Sequence, residues 1–202
     1  MNQPARAVIQ RRYVARAWER LGGAVPGGVA LEVGCGRGVG VEIILGRFGA
    51  ESVHGIDLDP QMIHLARRRL WSLPAARATV EVGDATAIGS RDGAFDAVFD
   101  FGAIHLIEDW PLAVGEVRRV LKPGGRFYFE EISGRGYRSL LPLVTQGPSD
   151  PRKTGFAEGP FLAEMGRHDF AVRIMRPSKL MVLTGTVGDL IGVGRLQMAG
   201  SA

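Results

Sequence analysis

Val29–Val33 is an apolar run with one acid, Glu32; glycines follow at positions 34, 36, 38 and 40, and Val41-Glu42-Ile43-Ile44-Leu45 comes next. No other stretch limits the fold as strongly. An apolar run, a tight glycine turn and the start of a helix make one strand–turn–helix unit. Glycine serves where φ must be positive or where a ligand must lie against the backbone. The unpaired N–H groups and the positive dipole end of the following helix make such a turn a seat for a polar or anionic group. The spacing excludes two common versions of the unit. A G-x-G-x-x-G dinucleotide fingerprint needs glycine at 39, where the chain has Val39. A P-loop closes with Gly-Lys-Ser/Thr, and no such triplet follows.

The rhythm continues downstream. Strands are expected at about 29–33, 53–57, 78–82, 95–101 and 126–132, with helices at about 39–48, 60–71 and 109–121. Alternation of this kind implies a parallel sheet with helices on both faces. The acids fall at strand ends. Asp57 closes the second strand, where a carboxylate is placed to accept hydrogen bonds from both hydroxyls of a ribose. Asp59 and Pro60 suit the N-cap and first position of the next helix. Gly83-Asp84-Ala85 ends the third strand, and Asp100 sits near the carboxyl end of the fourth, facing the crevice where open α/β sheets bind ligands. Lys122-Pro123-Gly124-Gly125 stops a helix and turns the chain, a structural role.

These motifs, in this order over about residues 28–132, resemble the class I S-adenosylmethionine (SAM) dependent methyltransferases. The resemblance implies a Rossmann-like, doubly wound, mostly parallel seven-stranded sheet ending in an antiparallel hairpin. It implies SAM as cofactor, with Glu32 holding the cationic methionine amine and Gly34, Cys35, Gly36 and Gly38 letting the backbone lie against the amino-acid part. Asp57 would take the ribose, with Leu58 and Met62 also among the cofactor-binding residues. Asp84 and Ala85 would read adenine beside the cofactor-binding Gly83, and Asp100 and Phe101 would meet the methionine end. Relatives often carry a small polar residue where this chain has Asp100, so the role of that acid stays open. The patterns from Asp96 to His105 and from Leu121 to Gly125 look most like the small-molecule branch of the ubiquinone/menaquinone-biosynthesis type. RNA or protein methylation and a non-catalytic SAM-binding module are the alternatives.

Composition adds exclusions. The chain has 202 residues, suited to a single domain, with residues 1–28 as an N-terminal helix and linker. No apolar stretch approaches the length of a membrane span and no signal-peptide core is visible, so a soluble cytoplasmic protein is expected. The lone Cys35 forms no intrachain disulfide and reads as a small filler of the turn rather than a nucleophile. Without clustered Cys and His, no metal site is expected. The net charge is +4 and comes almost wholly from arginine. The clusters at 11–20, 67–69 and 118–119 read as solvated helix faces, and no stacking aromatics are interleaved to make a nucleic-acid track.

The reacting groups are less constrained. A base is needed only where the methyl acceptor carries a proton that must leave. His105, Glu130 and Glu131 lie at carboxyl ends of strands and are the candidates. His105 reads equally well as a packed residue at the start of the next helix. Glu130 and Glu131 point to opposite faces of the fifth strand, so at most one meets the substrate. Tyr13, on an amphipathic helix over Val8–Leu21, reads as packing rather than as a cofactor contact. Residues 133–168 break the rhythm and are expected to form a lid over the acceptor pocket, with apolar contacts from Leu140, Leu141, Leu143 and Val144 and a partly hydrophobic acceptor beneath. Strands at Phe170–Met175 and Leu180–Val187 would form the hairpin, leaving a flexible tail from Gly188.

Overall fold

Val29–Val33 (β1) lies inside a sheet, paired in parallel with Ser52–Asp57 (β2) on one side and Phe95–Asp100 (β4) on the other. A computed structural model describes residues 4–132, 156–177, 188 and 190–198. Among these residues the sheet has seven strands in the order β3-β2-β1-β4-β5-β7-β6, with β3 at Ala78–Val82, β5 at Leu121–Glu131, β6 at Phe170–Met175 and β7 at Leu190–Leu196. Strands β1 to β5 run parallel, and β7 is antiparallel to both neighbours. The expected doubly wound fold is therefore present. Strand order reverses between β1 and β4, which opens a crevice at their carboxyl ends.

Helices cover both faces. Helix α1 runs Pro4–Ile9, passes through a π turn at Gln10–Val14 and continues as Ala15–Gly22. Helix α2, Val39–Ile43, is extended by a π turn at Ile44–Phe48, and α3 is Pro60–Leu70. These three pack on one face around Trp18, Phe48, Phe99 and Tyr128, with Phe99 and Tyr128 stacked at 4.4 Å. Helices α4 (Trp110–Val120) and α5 (Glu158–Arg167) cover the other face over Phe127 and Phe129. Strand alternation then sorts the acids. Glu32 shares the α1–α3 face with Ala30, and Glu130 shares it with Tyr128. Asp100 shares the α4–α5 face with Val98, and Glu131 shares it with Phe129.

Three boundaries differ from expectation. The seventh strand is Leu190–Leu196, in what composition marks as a flexible tail; the expected strand Leu180–Val187 falls outside the described residues. The glycines of this strand are there for close approach. A Cβ at Gly192 would stand 2.3 Å from the Phe129 ring, and one at Gly194 would stand 2.5 Å from Met165. The fifth strand begins at Leu121, and the Pro-Gly-Gly turn becomes an irregularity within it, between the pairings Phe95–Leu121 and Ala97–Arg126. The end of the expected lid is a packed helix: Phe156, Phe161 and Met165 are buried, and Trp110 meets both phenylalanines at 5.4 and 6.1 Å. Residues 133–155, with Leu140, Leu141, Leu143 and Val144, lie outside the described residues. No helix among the described residues is long and apolar enough to cross a membrane, and they contain no cluster able to hold a metal ion.

Candidate functional site

The crevice at the carboxyl ends of β1, β2 and β4 is a cavity of about 820 Å³. Eleven of the residues read as cofactor-binding line it: Glu32, Gly34, Cys35, Gly36, Asp57, Leu58, Met62, Gly83, Asp84, Ala85 and Phe101. The turn after β1 supplies its floor. Gly34, Gly36 and Gly38 all have positive φ, at 65°, 52° and 82°. Gly34 also meets Ala103 so closely that a Cβ would stand 2.3 Å from the alanine methyl.

Glu32 is the least ordinary group in this wall. Its side chain is buried, and a Cβ on Gly40 would fall 1.9 Å from its Oε1. Burial raises its pKa well above the usual carboxylate range; Asp100 and Asp57 raise it further, and a hydrogen bond from the Val41 backbone opposes them. Oε2 has no hydrogen-bond partner among the described residues. An unpartnered carboxylate oxygen facing a cavity is a seat for a cationic or N–H-bearing ligand. The neighbouring Cys35 is also buried, and burial followed by the charges of Glu32 and Asp57 pushes its thiol pKa up. A thiol held protonated is a poor nucleophile, in line with a filling role.

Asp57 is fixed by the chain itself. Its Oδ2 accepts the Gly36 N–H at 2.8 Å and its Oδ1 accepts the Asp59 N–H at 3.0 Å, which ties the end of β2 to the glycine turn. Asp59 accepts the Gln61 N–H at 2.8 Å and caps α3, with Pro60 at the first position, as expected. Asp84 accepts from both the backbone and the hydroxyl of Thr86, at 2.8 and 2.7 Å, at the cavity edge.

Five residues named from the sequence do not line the cavity. Gly38 is the left-handed N-cap of α2 and packs under Leu70, so it shapes the turn from behind. Asp100 is fully buried on the far side of β4 and accepts the Ala103 N–H at 2.7 Å. His105 lies in a 3₁₀ turn (Ile104–Leu106), buried, with Nδ1 bonded to Glu131 and the ring edge-on to Phe156. Glu131 Oε2 also accepts the His105 backbone N–H at 3.1 Å. Glu130, on the opposite face as expected, accepts the Gly188 N–H at 2.8 Å and stands 3.5 Å from Arg6. The ring of His105 is nonetheless close to the cavity, since a Cβ on the lining residue Gly102 would stand 3.6 Å from its Cε1.

The cavity also has walls that motif reading missed. Arg6 and Gln10 come from α1, Arg37 from the glycine turn, and Leu106 and Ile107 from the 3₁₀ turn and its exit. Arg6 donates to the Phe101 carbonyl at 2.8 Å, holding α1 over the cavity. Only Arg37 carried a local signal, by its place among the glycines; the others required the chain to fold back. Tyr13 packs against the core and does not line this cavity.

A family model described as a methyltransferase domain matches residues 31–129, which span the whole set of turns just described. The chain belongs to the class I SAM-dependent methyltransferases. It is 35% identical over 170 residues to malonyl-[acyl-carrier protein] O-methyltransferase of Halorhodospira halophila, covering 84% of this chain and 54% of that one. It is 32% identical over 125 residues to demethylmenaquinone methyltransferase of Symbiobacterium thermophilum, covering 61% and 48%. The chain thus spans about half the length of these relatives, and 27% of a phosphoethanolamine N-methyltransferase from Caenorhabditis elegans. Among solved structures, the PH0226 protein of Pyrococcus horikoshii superposes with a TM-score of 0.74 at 21% identity, over 97% of this chain and 93% of that one. The methyltransferase fold so placed gives Asp57 and Asp59 distinct expectations. Asp57→Ala should weaken binding of S-adenosylhomocysteine by about 1.5–3 kcal/mol, the range for hydrogen bonds to a charged group. Asp59→Ala should cost about 1 kcal/mol of stability through the lost cap and leave affinity unchanged. Calorimetric titration beside urea unfolding separates the two.

Proposed function

We propose that this protein transfers the methyl group of SAM to a small, partly hydrophobic acceptor. The observation that carries the reading is the buried Glu32 Oε2, without a hydrogen-bond partner among the described residues, at the wall of a cavity floored by positive-φ glycines. In this reading Glu32 holds the methionine amine, the turn at Gly34–Gly36 lies along the amino-acid part, Asp57 accepts from the ribose hydroxyls and Asp84 with Ala85 meets adenine. Bound SAM supplies an electrophilic methyl group on a sulfonium, with a neutral thioether as the leaving group. The chain's own contribution is alignment and exclusion of water. Leu106 and Ile107 offer apolar contact to the acceptor, and α1, pinned by Arg6 to Phe101, closes one side. A cytoplasmic site of action accords with a chain carrying a single cysteine.

Titration calorimetry with S-adenosylhomocysteine should give micromolar binding, about −8 kcal/mol. Radiolabelled SAM in a cell extract should then label a product of low molecular weight. Absence of binding would overturn the cofactor reading; label in RNA or protein would move the acceptor to another class. Binding without any labelled product would mark a non-catalytic module.

A further inference from the structure

Helix α1 changes character across its π turn. None of residues 6–13 is buried, whereas Val14, Ala15, Ala17 and Trp18 are, and Trp18 Nε1 donates to the Phe129 carbonyl at 3.1 Å. The later half is fixed to the sheet, while Arg6, Ala7 and Gln10 of the earlier half line the cavity. The π turn itself is clamped. Arg47 donates to the Arg11 carbonyl at 2.9 Å and also holds Glu19, and Arg11 pairs with Glu42. Turns of this kind are where helices kink. What precedes the clamp is a short arm, Pro4 to Gln10, about 10 Å long. Ile9 gives it a partial apolar contact with the core, and Arg6 is its polar hold. Arg6 Nη2 donates to the Phe101 carbonyl at 2.8 Å and stands 3.5 Å from Glu130 Oε2. Gly102 makes room for it: φ there is 89°, and a Cβ would stand 3.0 Å from Arg6 Nη2. Glu130 Oε1 accepts the Gly188 N–H at 2.8 Å, and Oε2 is buried without a hydrogen-bond partner among the described residues. A buried carboxylate whose cation departs is left uncompensated, so the pair favours the closed arm.

Resting on the reading of the cavity as the SAM site, we propose that Pro4–Gln10 is an entry arm that opens about the π turn, with Arg6 as its latch and Glu130 with the Phe101 carbonyl as the catch. Phe101 and Gly102 line the cavity too, so latch and ligand meet the same loop. Opening takes Arg6, Ala7 and Gln10 out of the wall and lets cofactor and product pass. Closing restores the wall and excludes water. Both halves of the latch belong to the chain, and Glu130 lies off the cavity. Losing the pair therefore weakens the closed arm whether the cavity is empty or filled, and it changes rates of entry and exit more than affinity. Glu130 is in this way a positioning residue that acts through Arg6.

The test uses the full chain and two readouts. Trypsin cleaves after Arg6 only when the guanidinium leaves its seat, so the initial rate of that cleavage reports the open arm. Glu130→Gln keeps an acceptor for the Gly188 N–H and removes the charge facing Arg6. It should raise cleavage after Arg6 about tenfold or more, with cleavage after the exposed Arg91 unchanged. In surface plasmon resonance with S-adenosylhomocysteine, the same variant should raise the association and dissociation rate constants together by about tenfold, with Kd within about threefold. Arg6→Ala should speed association to the same extent, and it serves as the readout if Glu130→Gln fails to fold. A dissociation rate raised alone would make Arg6 a ligand contact and overturn the latch. Cleavage after Arg6 unmoved by Glu130→Gln would overturn it as well. Failure of S-adenosylhomocysteine to bind the wild-type protein, with cleavage responding as stated, would strike the proposed function while upholding the latch, so the two failures are told apart.

Discussion

Gly34→Val should abolish measurable binding of S-adenosylhomocysteine, a loss of at least about 100-fold or ~2.7 kcal/mol. Three effects add at this position. A β-branched residue would be held at φ of 65°, a strain of about 1–3 kcal/mol. Its Cβ would stand 2.3 Å from Ala103 Cβ, and overpacking of that kind costs about 1–3 kcal/mol. The isopropyl group would also change the floor of the cavity where the amino-acid part of the cofactor is proposed to lie. Both binding and the urea midpoint should therefore fall. Gly46→Ala is the control, since nothing lies within 4 Å of a Cβ there, and it should change stability by no more than about 1 kcal/mol, in the stabilising direction. Valine at 34 with wild-type affinity would show that the turn does not touch the ligand.

Glu32→Gln should make the ligand-free protein more stable and the liganded protein weaker. Glu32 is buried near Asp100 and Asp57 with one oxygen unpartnered among the described residues, and an unsatisfied buried group costs about 1–3 kcal/mol. The sign follows from its raised pKa. The folded state binds the proton more tightly than the unfolded chain, so wild-type stability declines as pH rises from the ordinary carboxylate range through the folded pKa. Glutamine has no such proton, so this part of the pH dependence is lost with the carboxyl. The urea midpoint of Glu32→Gln should thus exceed wild type at pH 8, and the gap should close towards pH 4. Affinity for S-adenosylhomocysteine should fall by about 1.5–3 kcal/mol, because the charge that destabilises the free protein is the one that meets the ligand's amine. A wild-type protein more stable than the variant at pH 8 would mean that Glu32 has a partner within the fold.

What the chain announced locally was its parallel half. Apolar runs closed by Glu32, Asp57, Asp84 and Asp100 have strand periodicity, and glycine or proline punctuates each return. These are short-range signals, and β1 to β4 stand at their expected places within a residue or two. The C-terminal pair was harder. Gly192 and Gly194 weaken the local case for a strand, yet they are the residues that let β7 pass against Phe129 and Met165. Nothing within ten residues of them names those partners.

The same division holds at the site. A carboxylate at the end of a parallel strand is placed in the crevice by backbone pattern alone, so Glu32, Asp57 and Asp84 could be named from the sequence. Sequence order also settled that Glu130 and Glu131 part to opposite faces, because side chains alternate along a strand. Which partner each then meets depends on elements far along the chain. Arg6 reaches Glu130 from α1 across more than 120 positions, and Gly188 reaches it from the approach to β7. Asp100, read as a cofactor contact, lies against Glu131 because β4 and β5 are neighbours and both side chains fall on the α4–α5 face. Local pattern specifies direction along and across a strand; only the packed sheet brings two acids and a histidine together, since their proximity is a property of strand order and not of spacing in the chain.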